Sequence, residues 1–146
     1  MKTIITKKIK ENNAYFSVQW SPLKKAERYD INASVPAESG VYQLYYMDNK
    51  KRLNLMYIER VWFGGLRSTI RKMTDPELEF DPKWKSVLNQ FDCYYRYTLS
   101  SSSRDMEDVL FFYGEVLFPG AGKCSSSGRY KNIFLNEESP EKFVTV

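Results

Sequence analysis

The chain contains no histidine at all, and only two cysteines, Cys93 and Cys124. A Ser-His-Asp or Cys-His mechanism is excluded, because its base is missing. A structural zinc site needs about four Cys or His ligands, so two cysteines and no histidine argue against one. Nowhere is there an apolar run approaching the ~20 residues of a membrane helix. The opening segment Met1–Lys7 is broken by Lys2 and Lys7 before an apolar stretch can form. Together with so few thiols, this leads us to expect a protein of a reducing compartment, the cytoplasm, with no secretory leader.

What is present is apolar surface, aromatic rings and a small excess of positive charge. Of 146 residues, 42% are hydrophobic and 16% aromatic, enough for one packed domain and too few for two ordinary ones. The expectation is a single domain over 1–146, with 1–34 an N-terminal extension of undefined role. Twenty-two basic against eighteen acidic residues leave a net charge of +4. That balance is compatible with a phosphate-rich partner and is also common in proteins without one.

Along the chain, Ala14–Trp20 alternates like a strand. Ser21-Pro22 reads as a helix start, with a short helix over Leu23–Tyr29. Val41–Met47 and Leu53–Ile58 are apolar runs around an Asp48-Asn49 turn, the signature of a hairpin. After Gly64-Gly65, Leu66, Ile70 and Met73 mark one face of a helix over Leu66–Met73, which Thr74-Asp75-Pro76 ends. Asp81-Pro82 opens a second helix carrying Trp84, Val87 and Leu88, and Cys93–Leu99 returns to strand composition. Ser102 with Asp105 suggests a capping box opening a helix over Arg104–Phe118, followed by Pro119-Gly120 and a Gly/Ser-rich loop to Gly128. Gly120-Ala121-Gly122-Lys123 is not a P-loop, because Leu117 stands at the first glycine and the segment follows a helix.

The hairpin puts Tyr42 and Tyr57 on neighbouring strands, where both phenols project from one face if the turn is tight. Paired strand tyrosines are most often simple packing. Their neighbourhood adds a second reading. Gly40-Val41-Tyr42, then Tyr57-Ile58-Glu59, then Leu66-Arg67-Ser68-Thr69-Ile70-Arg71 resembles the signature of the GIY-YIG nuclease family. Val35-Pro36-Ala37-Glu38-Ser39 resembles its lead-in, Glu107-Asp108-Val109-Leu110-Phe111 its glutamate helix, and Arg129-Tyr130-Lys131-Asn132 the segment ending in its asparagine. The resemblance spans about residues 35–133.

It implies an α/β (α+β) fold, a small antiparallel three-stranded sheet flanked by helices. It also implies a divalent-metal-dependent endonuclease that hydrolyses phosphodiesters, DNA more than RNA, with Mg2+ or Mn2+ as cofactor. Tyr57 would act as base or water positioner with Tyr42 its partner, Glu107 would hold the metal with Glu115 in reserve, and Asn132 would support the site. One carboxylate suffices for a magnesium-type ion that keeps its waters. Two positions depart from the family pattern. Glu59 replaces a glycine, where its carboxylate would repel a phosphate. The family arginine falls on Thr69 by the apolar pattern, or on Arg67 by a direct count from Tyr57. Lys72, about 60° round the helix from Thr69, and Arg60 are the other cations for that role. A domain that binds nucleic acid without cutting it, or one that binds a protein partner, is therefore the alternative to the nuclease.

Overall fold

The computed structural model describes residues 3–79, 81–114 and 125–140. Strands β1 (Ile5–Lys10) and β2 (Asn13–Gln19) open the chain, followed by a two-residue strand β3 (Lys24–Lys25) and helix α1 (Arg28–Ser34). The hairpin β4 (Gly40–Met47) and β5 (Leu53–Val61) leads to α2 (Gly65–Met73) and α3 (Pro82–Gln90). Strand β6 (Cys93–Leu99), helix α4 (Ser103–Phe112) and strand β7 (Asn132–Glu138) complete the order.

The fold is α+β with two sheets. One has the order β3-β6-β4-β5, antiparallel throughout, and the other the order β1-β2-β7 with β2 and β7 parallel. The hairpin, α2, α3 and β6 lie where the sequence pattern placed them. The expected three-stranded sheet is thus the β6-β4-β5 part of a four-stranded one. The residues expected as an extension supply, from Ile5 to Ser34, β1, β2, β3 and α1, and β2 pairs with β7 from the far end of the described chain.

The expected helix at Leu23–Tyr29 is replaced by β3 and a later helix. The Ser21 hydroxyl accepts from the Tyr97 backbone N–H (2.8 Å), and the Ser21 N–H donates to the Tyr97 carbonyl (2.8 Å). Ser21 is therefore committed to the sheet and leaves no cap for a helix. Glu27 caps α1 instead, accepting from the Tyr29 and Asp30 amides. At α4 the Ser102 cap forms as expected, its hydroxyl accepting from Asp105 N–H (3.2 Å). The Asp105 side chain does not close the box, because Lys7 and Arg129 both donate to it at 2.8 Å. The expected helix beyond Gly114, with Glu115, Phe118, the Pro119-Gly120 stop and Cys124, lies outside the described residues.

Two cores sandwich the four-stranded sheet. Tyr42, Leu44, Val61 and Tyr95 face Ile31, Leu66, Ile70 and Trp84 of the helices on one side. Val41 and Ile58 face α4 (Met106, Val109) and the inner side of β2 (Ala14, Phe16, Val18) on the other. Arg96, only 3% exposed, lies in the second core. Its guanidinium sits 4.6 Å from the Trp20 ring centroid, donates to Gln43 Oε1 (2.6 Å) and pairs with Glu137 of β7 (3.5 Å). A buried cation is tolerable only with such partners, and these ones fasten one sheet to the other.

Gly40 has a packing reason. A Cβ there would lie 2.2 Å from the Thr98 carbonyl oxygen and 2.8 Å from Leu66 Cδ1, so β4, β6 and α2 meet at a point that only glycine fits.

Candidate functional site

Strand β5 is the edge of its sheet, and alternation along it sorts the candidate residues onto two sides. Tyr42 pairs with Glu59, and Leu44 with Tyr57. Tyr42, Tyr57 and Glu59 therefore share the side covered by α2 and α3. Arg60, paired with Val41, projects from the opposite side, towards α4.

On the first side, Tyr42 is fully buried and its hydroxyl donates to Glu59 Oε2 at 2.7 Å. Tyr57 donates to Asp81 Oδ2 at 3.0 Å and meets Trp84 edge to face, with centroids 5.3 Å apart. Burial, with the charge and hydrogen bond of Glu59 behind it, holds the Tyr42 phenol far above its ordinary range. Burial, the Asp81 hydrogen bond, and the charges of Asp81, Glu79 and Glu59 push Tyr57 up to about 12. Both shifts run away from the phenolate that a general base requires, and the same carboxylates repel an approaching phosphate.

On the second side, Arg60 Nη1 donates to Glu107 Oε1 (3.0 Å) and lies within 3.3 Å of the Ser103 hydroxyl. This pair sits at the rim of a cleft of about 510 Å³ lined by Arg60, Val61, Trp62, Phe63, Thr69 and Ser103. Trp62 and Phe63 are solvent-exposed beside it. Thr69 turns its hydroxyl back to the Gly65 carbonyl (3.1 Å). Gly65 itself has φ +79° and lies so close to Ala37 that a Cβ would be 2.8 Å from its carbonyl carbon. That contact sets the approach of α2 to the loop before β4.

The other cations sit elsewhere. Arg67 donates its Nε to the Val35 carbonyl (2.7 Å), tying α2 to the chain after α1. Lys72 is exposed on α2. Asn132 opens β7 in the other sheet, where its amide donates to Asn13 Oδ1 (3.0 Å). The structure thus brings Tyr42 and Tyr57 together, but not with Glu107, Arg67 or Asn132. Glu107 answers Arg60 on the side of the sheet away from the tyrosines, and no group of three or more His, Cys, Asp or Glu side chains suited to a metal occurs among the described residues. A carboxylate already paired with a guanidinium does not fit a divalent cation, which would add like charge at that spot.

Two features gave no readable signal in the sequence. Asp108, beside the candidate Glu107, is the fully buried acid: it accepts from Ser127 N–H (2.7 Å), Ser127 Oγ (2.9 Å) and Arg129 Nη2 (2.8 Å). It anchors the segment before β7. Tyr15 and Phe134 form a stacked pair on the outer face of the second sheet, with centroids 5.0 Å apart and planes 14° from parallel. Only the β2–β7 pairing brings them together.

A family model described as "Uncharacterised protein" matches residues 4–146. No curated protein and no solved structure matches the chain. Among the described residues, no helix is long and apolar enough to cross a membrane.

Proposed function

We propose, for a chain that belongs to this family of uncharacterised proteins, that it is a GIY-YIG-like domain that binds nucleic acid without cleaving it. The observation that carries this reading is the division of the candidate catalytic set across β5. Tyr42 and Tyr57 lie among Glu59, Glu79 and Asp81 on one side, while Glu107 is held by Arg60 on the other. A phosphodiesterase needs base, metal ligand and charge-stabilising cation around one reacting phosphorus. Here the first two face apart, and Arg67 is spent on a backbone carbonyl.

Binding itself is supported by charge. The chain carries an excess of cations, and several acids are occupied with the tyrosines or in internal ion pairs such as Asp105 and Asp108 with Arg129. We place the protein in the cytoplasm, where the buried free thiol of Cys93 stays reduced; burial pushes that thiol up to about 12.

The test is supercoiled plasmid incubated with purified protein, with Mg2+ or Mn2+ and with chelator, beside Glu107→Ala. The expected result is intact plasmid, with nucleic-acid binding that weakens as salt rises and that chelator leaves unchanged. Metal-dependent nicking that disappears in Glu107→Ala would overturn the reading in favour of the endonuclease.

A further inference from the structure

We propose that the outer face of the β1-β2-β7 sheet is a docking surface for single-stranded nucleic acid, with Tyr15 and Phe134 as its base-stacking platform. The proposal rests on the binding function above and names where that function resides.

The inner face of this sheet is spent in the core: Ala14, Phe16 and Val18 are buried, with Ile133 and Leu135 packed against the same cluster. Alternation then turns Lys8, Lys10, Asn13, Tyr15, Asn132 and Phe134 outward. The register sets Lys8, Tyr15 and Phe134 in one row, and Lys10, Asn13 and Asn132 in the next.

Tyr15 is 42% and Phe134 46% exposed although both lie mid-strand. The two rings are stacked on each other and still keep nearly half their surface exposed, so an unpaired base can extend the stack at little entropic cost. Such a platform has no use for a duplex, whose bases are already stacked.

Charge identifies the occupant. Lys7, which points inward, is tied to Asp105 and Tyr130. Its neighbours Lys8 and Lys10 are exposed and enter no ion pair among the described residues. Lys131, exposed, leads into β7 at the same end of the sheet. The cations therefore flank the rings, with the Asn13 and Asn132 amides between them. The acidic residues of β7, Glu137 and Glu138, stand at the opposite end, paired in register with Val18 and Gln19. A strand whose bases stack on Phe134 and Tyr15 carries its phosphates to Lys8 and Lys10 and away from Glu138.

The experiment is fluorescence anisotropy of the full chain with labelled oligo(dT), oligo(U) and a DNA duplex over a salt series. The wild type, Tyr15→Ala/Phe134→Ala, Lys8→Ala/Lys10→Ala and the cleft variant Arg60→Ala are compared, with thermal unfolding as the control for folding. The expected result is a preference for single strands over duplex. The ring variant should lose roughly tenfold or more in affinity, the lysine variant should flatten the salt dependence by about two phosphate contacts, and Arg60→Ala should bind normally. The ratio of oligo(dT) to oligo(U) affinity tells DNA from RNA as the source. Binding that survives both sheet variants overturns this assignment and leaves the binding function standing. No binding by folded wild type overturns both. A dimer that falls apart in the ring variant overturns it in favour of a second copy as the occupant.

Discussion

The aromatic pairs Tyr42/Tyr57 and Tyr15/Phe134 each lie on neighbouring strands, and their surroundings differ in charge and in what covers them. Tyr42 is buried under the helices and Tyr57 is half-buried beside α3, hydrogen-bonded to Glu59 and Asp81, so their side of the sheet is covered by helices and acidic at its rim. Tyr15 and Phe134 stand on a face that none of the buried core covers, in the row of Lys8 and next to that of Lys10. The same residue type serves packing in one place and presents a platform in the other. What decides is not the ring but the sign of the charge beside it and what lies above it.

If that contrast is right, removing the closed pair should damage the fold and removing the open pair should not. Tyr42→Ala takes a fully buried ring out of the helix-side core and is expected to cost about 3–5 kcal/mol in urea unfolding. A cost below 1 kcal/mol would mean that the tyrosine side is not closed.

The lysines provide the next test, because successive residues of β1 have opposite fates. Burial alone would raise the Asp105 carboxyl, but hydrogen bonds from Lys7 and Arg129 outweigh it and hold the carboxyl below its ordinary value. A depressed carboxylate contributes stability that is present above the unfolded value near pH 4 and lost as pH falls through the folded one. Asp105→Asn should therefore cost about 1–3 kcal/mol at neutral pH and abolish the corresponding loss below pH 4. Lys8→Ala should change neither, by the same titration of stability against pH.

At the alkaline end the sign reverses. Tyr57 has its phenol raised to about 12, so its share of stability is intact below pH 10 and is lost as pH climbs from 10 to 12. Tyr57→Phe should cost about 0.5–1.5 kcal/mol at neutral pH and lose less on that climb; an unchanged alkaline limb would show that Tyr57 is solvated. The smallest effect belongs to the open pair. Tyr15→Ala should shift unfolding by about 0.5 kcal/mol, and a larger loss would mean that the outer face is covered.

Much of the four-stranded sheet's neighbourhood was legible in the chain, because its signals are local. The Asp48-Asn49 turn between two apolar runs, the Leu66/Ile70/Met73 stripe and the Asp81-Pro82 start each act over a few residues, and each element formed there. The side shared by Tyr42 and Tyr57 was legible too, since strand alternation and one hairpin register determine it. Ser21 was misread for a tertiary reason: its hydroxyl had a better partner in Tyr97, seventy-six residues away.

The sequence by itself therefore determined the elements whose signals are local, namely β2, the β4–β5 hairpin, α2, α3, β6 and the start of α4, and which chemistries lack the residues they need. Only the tertiary structure decided that residues before β4 pair with residues after α4. That parallel β2–β7 contact joins segments over a hundred residues apart, and no local pattern encodes a partner at that separation. It put Phe134 against Tyr15 and moved Asn132 away from the tyrosines. Packing of α4 on the other side of the four-stranded sheet set Glu107 against Arg60, which points away from the tyrosines because side chains one residue apart on a strand face opposite sides.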